Sequence, residues 1–129
     1  MKIRIAIGDQ SLPATLDDGV TARDFAALLP LALTLEDYGS TEKIAMLPRK
    51  LTTEGAPDAT TPEAADVSYY APWGNLAIFL KPFRNSPGLV RLGRIDGGLE
   101  LLDVRGRIAV RIEAQPASAA TPGAVAPRR

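Results

Sequence analysis

Residues 2–8, KIRIAIG, alternate polar and apolar, which sets Ile3, Ile5 and Ile7 on one face of a strand. After the short turn GDQ the alternation resumes through Leu12, Ala14 and Leu16. This predicts an antiparallel hairpin, with Pro13 at an edge or irregular position of its second strand. The period then changes. In TARDFAALLPL, Phe25, Leu28 and Leu29 share a helical face, Thr21 is the candidate cap, Asp24 stands three residues on as a shortened capping-box acid, and Pro30 limits the helix. Leu31, Leu33 and Leu35 restore strand alternation, with Thr34 and Glu36 on the other side. EKIAMLPRKL fits either a short strand or a helical turn. VSYYAP, NLAIFLKPF, LVRLGRID and RIAVRIEA are four more strand-like runs, broken by WGN, RNSPG and GGLELLDVRG, and GGLELLDV reads as one helical turn.

Two stretches fall outside this pattern. Residues 52–66, TTEGAPDATTPEAAD, contain no large apolar side chain and predict a long surface loop of the kind that tends to be functional or mobile. From residue 115 the chain turns small and proline-rich, QPASAATPGAVAPRR, and predicts a disordered tail following a folded domain at 1–114. Seven or eight short strands with one short helix give a mainly β fold. A closed barrel is favoured over a sandwich, because closure explains how the strands manage with few edge-protecting lysines.

Composition narrows the chemistry. Fifteen Lys and Arg balance fifteen Asp and Glu, so no global field recruits nucleic acid or an anionic membrane. The chain has no cysteine and no histidine. Thiol nucleophiles, thiolate and imidazole metal ligands and His-based acid-base catalysis are thereby excluded. No run approaches the ~18 apolar residues of a membrane span, and a cytoplasmic location is expected. Asp17-Asp18 and Glu36-Asp37 are read as turn residues, since a hard cation wants about six or more oxygens at defined spacing. Neither a metal nor a cofactor is expected.

The order TARDFAALLPLALTLEDYGSTEKIAMLP, then DVSYYAPWGNLAIF, then GLVRLGRIDGGLELL resembles the bacterial cyclophilin-like small proteins, a group of single-domain β-barrels largely without an assigned function. The resemblance runs from about Lys2 to Glu113 and implies a closed barrel of about eight strands with cyclophilin topology. It does not carry over prolyl isomerase residues. The Phe-His-Arg segment of true cyclophilins is absent, and Arg49, Arg91 and Arg94 stand in or near strands without that motif.

The stretch YYAPWGNLAIF, residues 69–79, holds the sole tryptophan and two of the three tyrosines. On a regular strand Tyr69 and Tyr70 face opposite ways, so one enters the core and the other faces out or lines a rim. The bland reading, in which Tyr69 and Trp73 plug the core and Tyr70 makes a cross-strand contact, is favoured. The binding reading makes Tyr70, Trp73 and Asn75, with one or more of Arg49, Arg91 and Arg94, an amphipathic ligand surface. Arg91 and Arg94 would point to opposite faces of a regular strand, and a bulge at Gly93 would bring them together on a carboxylate or phosphate. Their plainer fate is pairing with surface acids such as Glu100 or Asp96. The functions expected, in order, are a module binding a small molecule or peptide, an accessory domain docking a partner protein, and a prolyl isomerase with a non-standard site. The pattern assigns no oligomeric state.

Overall fold

In the computed structural model, which describes residues 1–115, the opening alternation forms β1 (Lys2–Ile7) and β2 (Gln10–Leu16), joined through Gly8 at φ +59°. Ile3, Ile5, Leu12, Ala14 and Leu16 face the core, and the polar alternates face out. The helix, α1, is Val20–Ala26, and its N-cap is Gly19 rather than Thr21. Thr21 is instead buried and donates its hydroxyl to the Thr52 carbonyl (2.8 Å), tying α1 to the long loop. Asp24 makes no capping box; its carboxylate accepts from Arg49 and from the Thr52 N–H.

The remaining strands are β3 (Leu31–Tyr38), β4 (Glu42–Met46), β5 (Ala59–Thr60), β6 (Asp66–Tyr70), β7 (Asn75–Phe79), β8 (Ser86–Pro87), β9 (Leu89–Ile95) and β10 (Ile108–Ala114). Leu99–Leu101 form one 3₁₀ turn where a helical turn was expected. EKIAM thus resolves to strand. Glu36 and Asp37, expected in a turn, lie within β3.

Eight strands close into an antiparallel barrel in the order β1-β10-β3-β4-β7-β6-β9-β2, and β5 and β8 form a separate two-stranded ribbon. The closed barrel, rather than the sandwich, follows from the last seam, where β2 meets β9 at Ala14↔Ile95, Thr15↔Arg94 and Leu16↔Gly93. Large apolar side chains fill the interior, Tyr69, Phe25, Ile5, Leu35, Leu76, Ile78 and Leu92 among them, as expected of a barrel this narrow. Lys43 also points inward, with no exposed surface. Its ammonium donates to Asp37 (2.7 Å) and to the carbonyls of Val104 (2.6 Å) and Gly106 (2.8 Å), which satisfies all three of its N–H bonds.

β7 differs from the other strands because all five of its residues are buried. Leu76 and Ile78 face the barrel core, while Ala77 and Phe79 form a second apolar cluster with Leu89, packed against Ile44, Tyr70 and Phe83. A strand covered on both faces reads as a continuous apolar run, as NLAIF does. What covers the outer face of the barrel here is the segment 80–88, and the site described next lies between the two. The expected tail from residue 116 onward lies outside the described residues.

Candidate functional site

The groove begins with the turn between β6 and β7. Gly74, at φ +71°, donates its N–H to the Tyr70 carbonyl (2.9 Å) and closes the turn, a conformation that favours glycine. Trp73, held at the tip, lies over the outside of the barrel and is 51% exposed, so it does not plug the core. Tyr69 alone enters the core, where its hydroxyl accepts from the buried Leu51 N–H at 3.0 Å. The Trp73 ring meets Tyr38 edge-on at 5.6 Å on one side and Tyr70 edge-on at 5.5 Å on the other. Such perpendicular pairs are favoured by the ring quadrupoles and fix the indole in place.

Opposite, Phe83 stacks on Phe79 with ring centroids 6.4 Å apart, and the Arg84 guanidinium lies over Phe83 at 4.6 Å. Gly88 lets this segment approach the turn: a Cβ there would meet the Pro72 ring at 2.8 Å, and its carbonyl accepts from Ala71 N–H. Between these walls is a cavity of about 240 Å³ whose floor is Glu42, Ile44, Asn75 and Phe79 on the outer faces of β4 and β7. Asn75 is 2% exposed. Its amide nitrogen donates to the Leu76 carbonyl (3.0 Å), while its Oδ1 has no hydrogen-bond partner. A buried, unmatched acceptor costs the fold about 1–3 kcal/mol, and Asp66 Oδ1 and Ser68 Oγ are buried and unmatched in the same way. Burial also pushes the Glu42 carboxyl above its ordinary range.

Of the residues expected to bind, Tyr70, Trp73 and Asn75 are thus brought together, and the three arginines are not among them. Arg49 is 2.8 Å from the Asp24 carboxylate, outside this cavity; the hydrogen bond it donates is the main reason the Asp24 carboxyl sits below its ordinary range. Arg91 and Arg94 do converge, because Val67 pairs with Gly93 and Ser68 with Arg91, leaving Leu92 as the extra residue of a bulge. The carboxylate they meet is the protein's own. Asp66, 2% exposed, lies 3.9 Å from Arg91 and 3.7 Å from Arg94, while Asp17 pairs with Arg91 and Glu63 with Arg94. Neither Glu100 nor Asp96 is their partner; Asp96 pairs with Lys2.

The cavity-lining groups that sequence reasoning missed include Tyr38, Glu42, Phe83 and Arg84. Their signal was the unbroken apolar character of NLAIF, which requires a cover, and the aromatic and cation placed just before the Asn-Ser-Pro-Gly break. A second, wider cleft runs beside α1, lined by Asp17, Asp18, Arg23, Glu54 and Arg91 among others. Four of these charges are engaged with one another, Arg23 with Asp18 and Arg91 with Asp17, so they are less available to a ligand. Among the described residues no group of three or more acidic side chains is placed to hold a metal, and no helix is long and apolar enough to cross a membrane.

The model of the Cyclophilin-like family matches residues 5–113. Among solved structures, the chain is similar to a hypothetical protein from Archaeoglobus fulgidus determined in solution, with a TM-score of 0.63 and 21% identity over 88% of this chain and 93% of that one. That likeness extends to the fold alone. No curated protein matches.

Proposed function

We propose that this chain, which belongs to the Cyclophilin-like family, works as a binding module whose outer-wall groove takes a small ligand or an extended peptide. The observation that carries this reading is an exposed, edge-locked Trp73 set in the same cavity as Arg84, whose guanidinium lies over Phe83 and outside the ion pairs of the described residues. Half-exposed aromatics fixed by their neighbours lose little entropy on contact, and a guanidinium with free N–H groups gains bonds when an acceptor arrives. The barrel interior is packed with its own large apolar side chains. A cytoplasmic location in a bacterial cell belongs to the same proposal.

The test is a two-dimensional NMR titration of labelled protein with a panel of short peptides, some containing Ala-Pro. Saturable shifts of the Trp73 indole N–H and the Asn75 side-chain amide support the groove. Unchanged spectra across the panel, or shifts that survive Trp73→Ala unaltered, refute it. A second reading, prolyl isomerisation, draws on Arg84, whose guanidinium lines the aromatic cavity outside every ion pair among the described residues. The same samples report it: faster exchange between the cis and trans peptide signals, abolished by Arg84→Gln, supports it, and exchange at the uncatalysed rate rejects it.

A further inference from the structure

The groove's lining includes two charged residues, Glu42 and Arg84, and both stand apart from every ion pair among the described residues. For Arg84 this is unusual. Arg4, Arg23, Arg49, Arg91, Arg94, Arg105, Arg107 and Arg111 each lie within 4.0 Å of a carboxylate, and Arg84 alone among the described arginines is held by an aromatic face instead. Stacked on Phe83, its guanidinium keeps its N–H edge free for a planar acceptor.

Glu42 has the complementary character. It is partly buried, faces Tyr38 across one strand pair and Phe79 across the other, and has neither a hydrogen bond nor a cation within reach. Its carboxyl is raised because burial strips water from the charged form and no neighbouring positive charge compensates. The Trp73 ring, flanked at right angles by Tyr38 and Tyr70, adds electron-rich surface to the same cavity, the setting in which an ammonium is stabilised.

We infer that the groove holds a small zwitterion, an amino acid or short peptide, with its ammonium at Glu42 among the aromatics and its carboxylate on Arg84. This inference rests on the reading of the groove as a ligand site and specifies the ligand's chemistry. The cavity's volume, about 240 Å³, lies below the range usual for drug-sized ligands and favours one or two residues over a long segment. Each terminus of such a ligand satisfies a charge that the fold leaves unpaired.

The experiment uses Trp73 fluorescence, which reports from within the groove because the chain has one tryptophan. L-leucine, L-phenylalanine and the dipeptide Leu-Leu are titrated as free zwitterions, as N-acetyl forms and as C-terminal amides, the two lengths bracketing the separation of the charges. At least one zwitterion should saturate the signal, and capping either end should weaken it by about tenfold or more, the order expected for losing one charge-assisted pair. In Glu42→Gln the N-acetyl cap should cost nothing further, and in Arg84→Gln the amide cap should cost nothing further; these substitutions remove charge on partly exposed side chains and keep the fold. Capped forms binding as tightly as free ones overturn the zwitterion while leaving a groove that binds peptides. Caps whose cost is unchanged in the two variants overturn the assignment of the charges to Glu42 and Arg84. If no compound in the series shifts the signal, the zwitterion also falls, and the groove itself falls only if the peptide titration above is blank as well.

Discussion

Replacing Gly93 by alanine tests how the barrel closes. Gly93 is buried on β9 at the seam with β2, opposite Leu16, and its φ is not in the left-handed region, so an added methyl acts through space alone. A Cβ there would stand 2.2 Å from the Thr15 carbonyl oxygen and 2.8 Å from the Leu16 Cα. Comfortable heavy-atom separation is roughly 3.5 Å, and both obstacles are backbone, so no side-chain rotation relieves them. The strands must part by about 1 Å or more. Overpacking of this kind costs about 1–3 kcal/mol, and disturbing the neighbouring ladder bonds in a seam only three pairs long adds about 1 kcal/mol for each bond lost. The sum is about 3–5 kcal/mol out of a total stability of roughly 5–15 kcal/mol. Urea unfolding followed by tryptophan fluorescence should show the midpoint falling by about 2 M for an m-value near 1–3 kcal/mol/M. Gly97→Ala, at an exposed glycine with nothing within 4 Å, is the control and should stay within about 0.5 kcal/mol of the parent. A Gly93→Ala midpoint indistinguishable from that control would refute the argument that the seam is held by this close approach.

Lys43→Met should destabilise by about 3–5 kcal/mol in the same assay, because it leaves the Val104 and Gly106 carbonyls without their donor; a loss under about 1 kcal/mol would show that water or Asp37 rearrangement compensates. Tyr69→Phe should cost about 1–3 kcal/mol by stranding the buried Leu51 N–H, and native-state hydrogen exchange at Leu51 should accelerate with it. Hydrogen bonds from Arg49, Lys43 and Arg4 hold the Asp24, Asp37 and Glu113 carboxyls below their ordinary values, so their stabilisation is full above about pH 4 and is lost as pH falls through the lowered folded values. Thermal melts from pH 7 to 2 should show that decline, and Asp24→Asn should shallow it. Glu42 has the opposite sign: its raised carboxyl favours the folded state below the ordinary value and disfavours it as pH rises. Glu42→Gln should therefore raise the melting temperature at pH 7 and leave it unchanged near pH 3, while weakening any cationic ligand.

The barrel was legible because each strand announces itself by alternation, and alternation survives without knowledge of partners. Ile3, Ile5, Leu12, Ala14 and Leu16 face inward as the pattern required, and Tyr69 and Tyr70 divide between core and groove by the same rule. Trp73 was misread as a core plug because turn residues have no period to follow; its position depends on Tyr38, which is remote in sequence and reaches it only because β4 and β7 pair between β3 and β6. The arginines show the same limit. A bulge was foreseeable from Gly93, and it does bring Arg91 and Arg94 together, but their partner Asp66 ends a loop with no alternation to set its direction. Thr21 looked like a cap from local spacing and was drawn off by a carbonyl of the long loop.

The position of the groove follows from β7 more than from its aromatics. A narrow barrel has its interior filled by its own side chains, so a ligand site has to be built on the outside, where polar alternates would normally meet water. Along β7 those alternates are Asn75, Ala77 and Phe79: one large ring to dock Phe83, one small residue to leave space, and one amide that keeps an acceptor unmatched. The segment 80–88 then folds back to cover Ala77 and Phe79, and by doing so carries Arg84 to the cavity, outside the ion pairs of the described residues. Glu42 and Arg84 line that same cavity and form no ion pair with each other. Two charges left without a partner in one cavity, one of them a carboxyl that burial raises, are stability forgone at one place on the barrel, and the proposed binding role rests on that local exception.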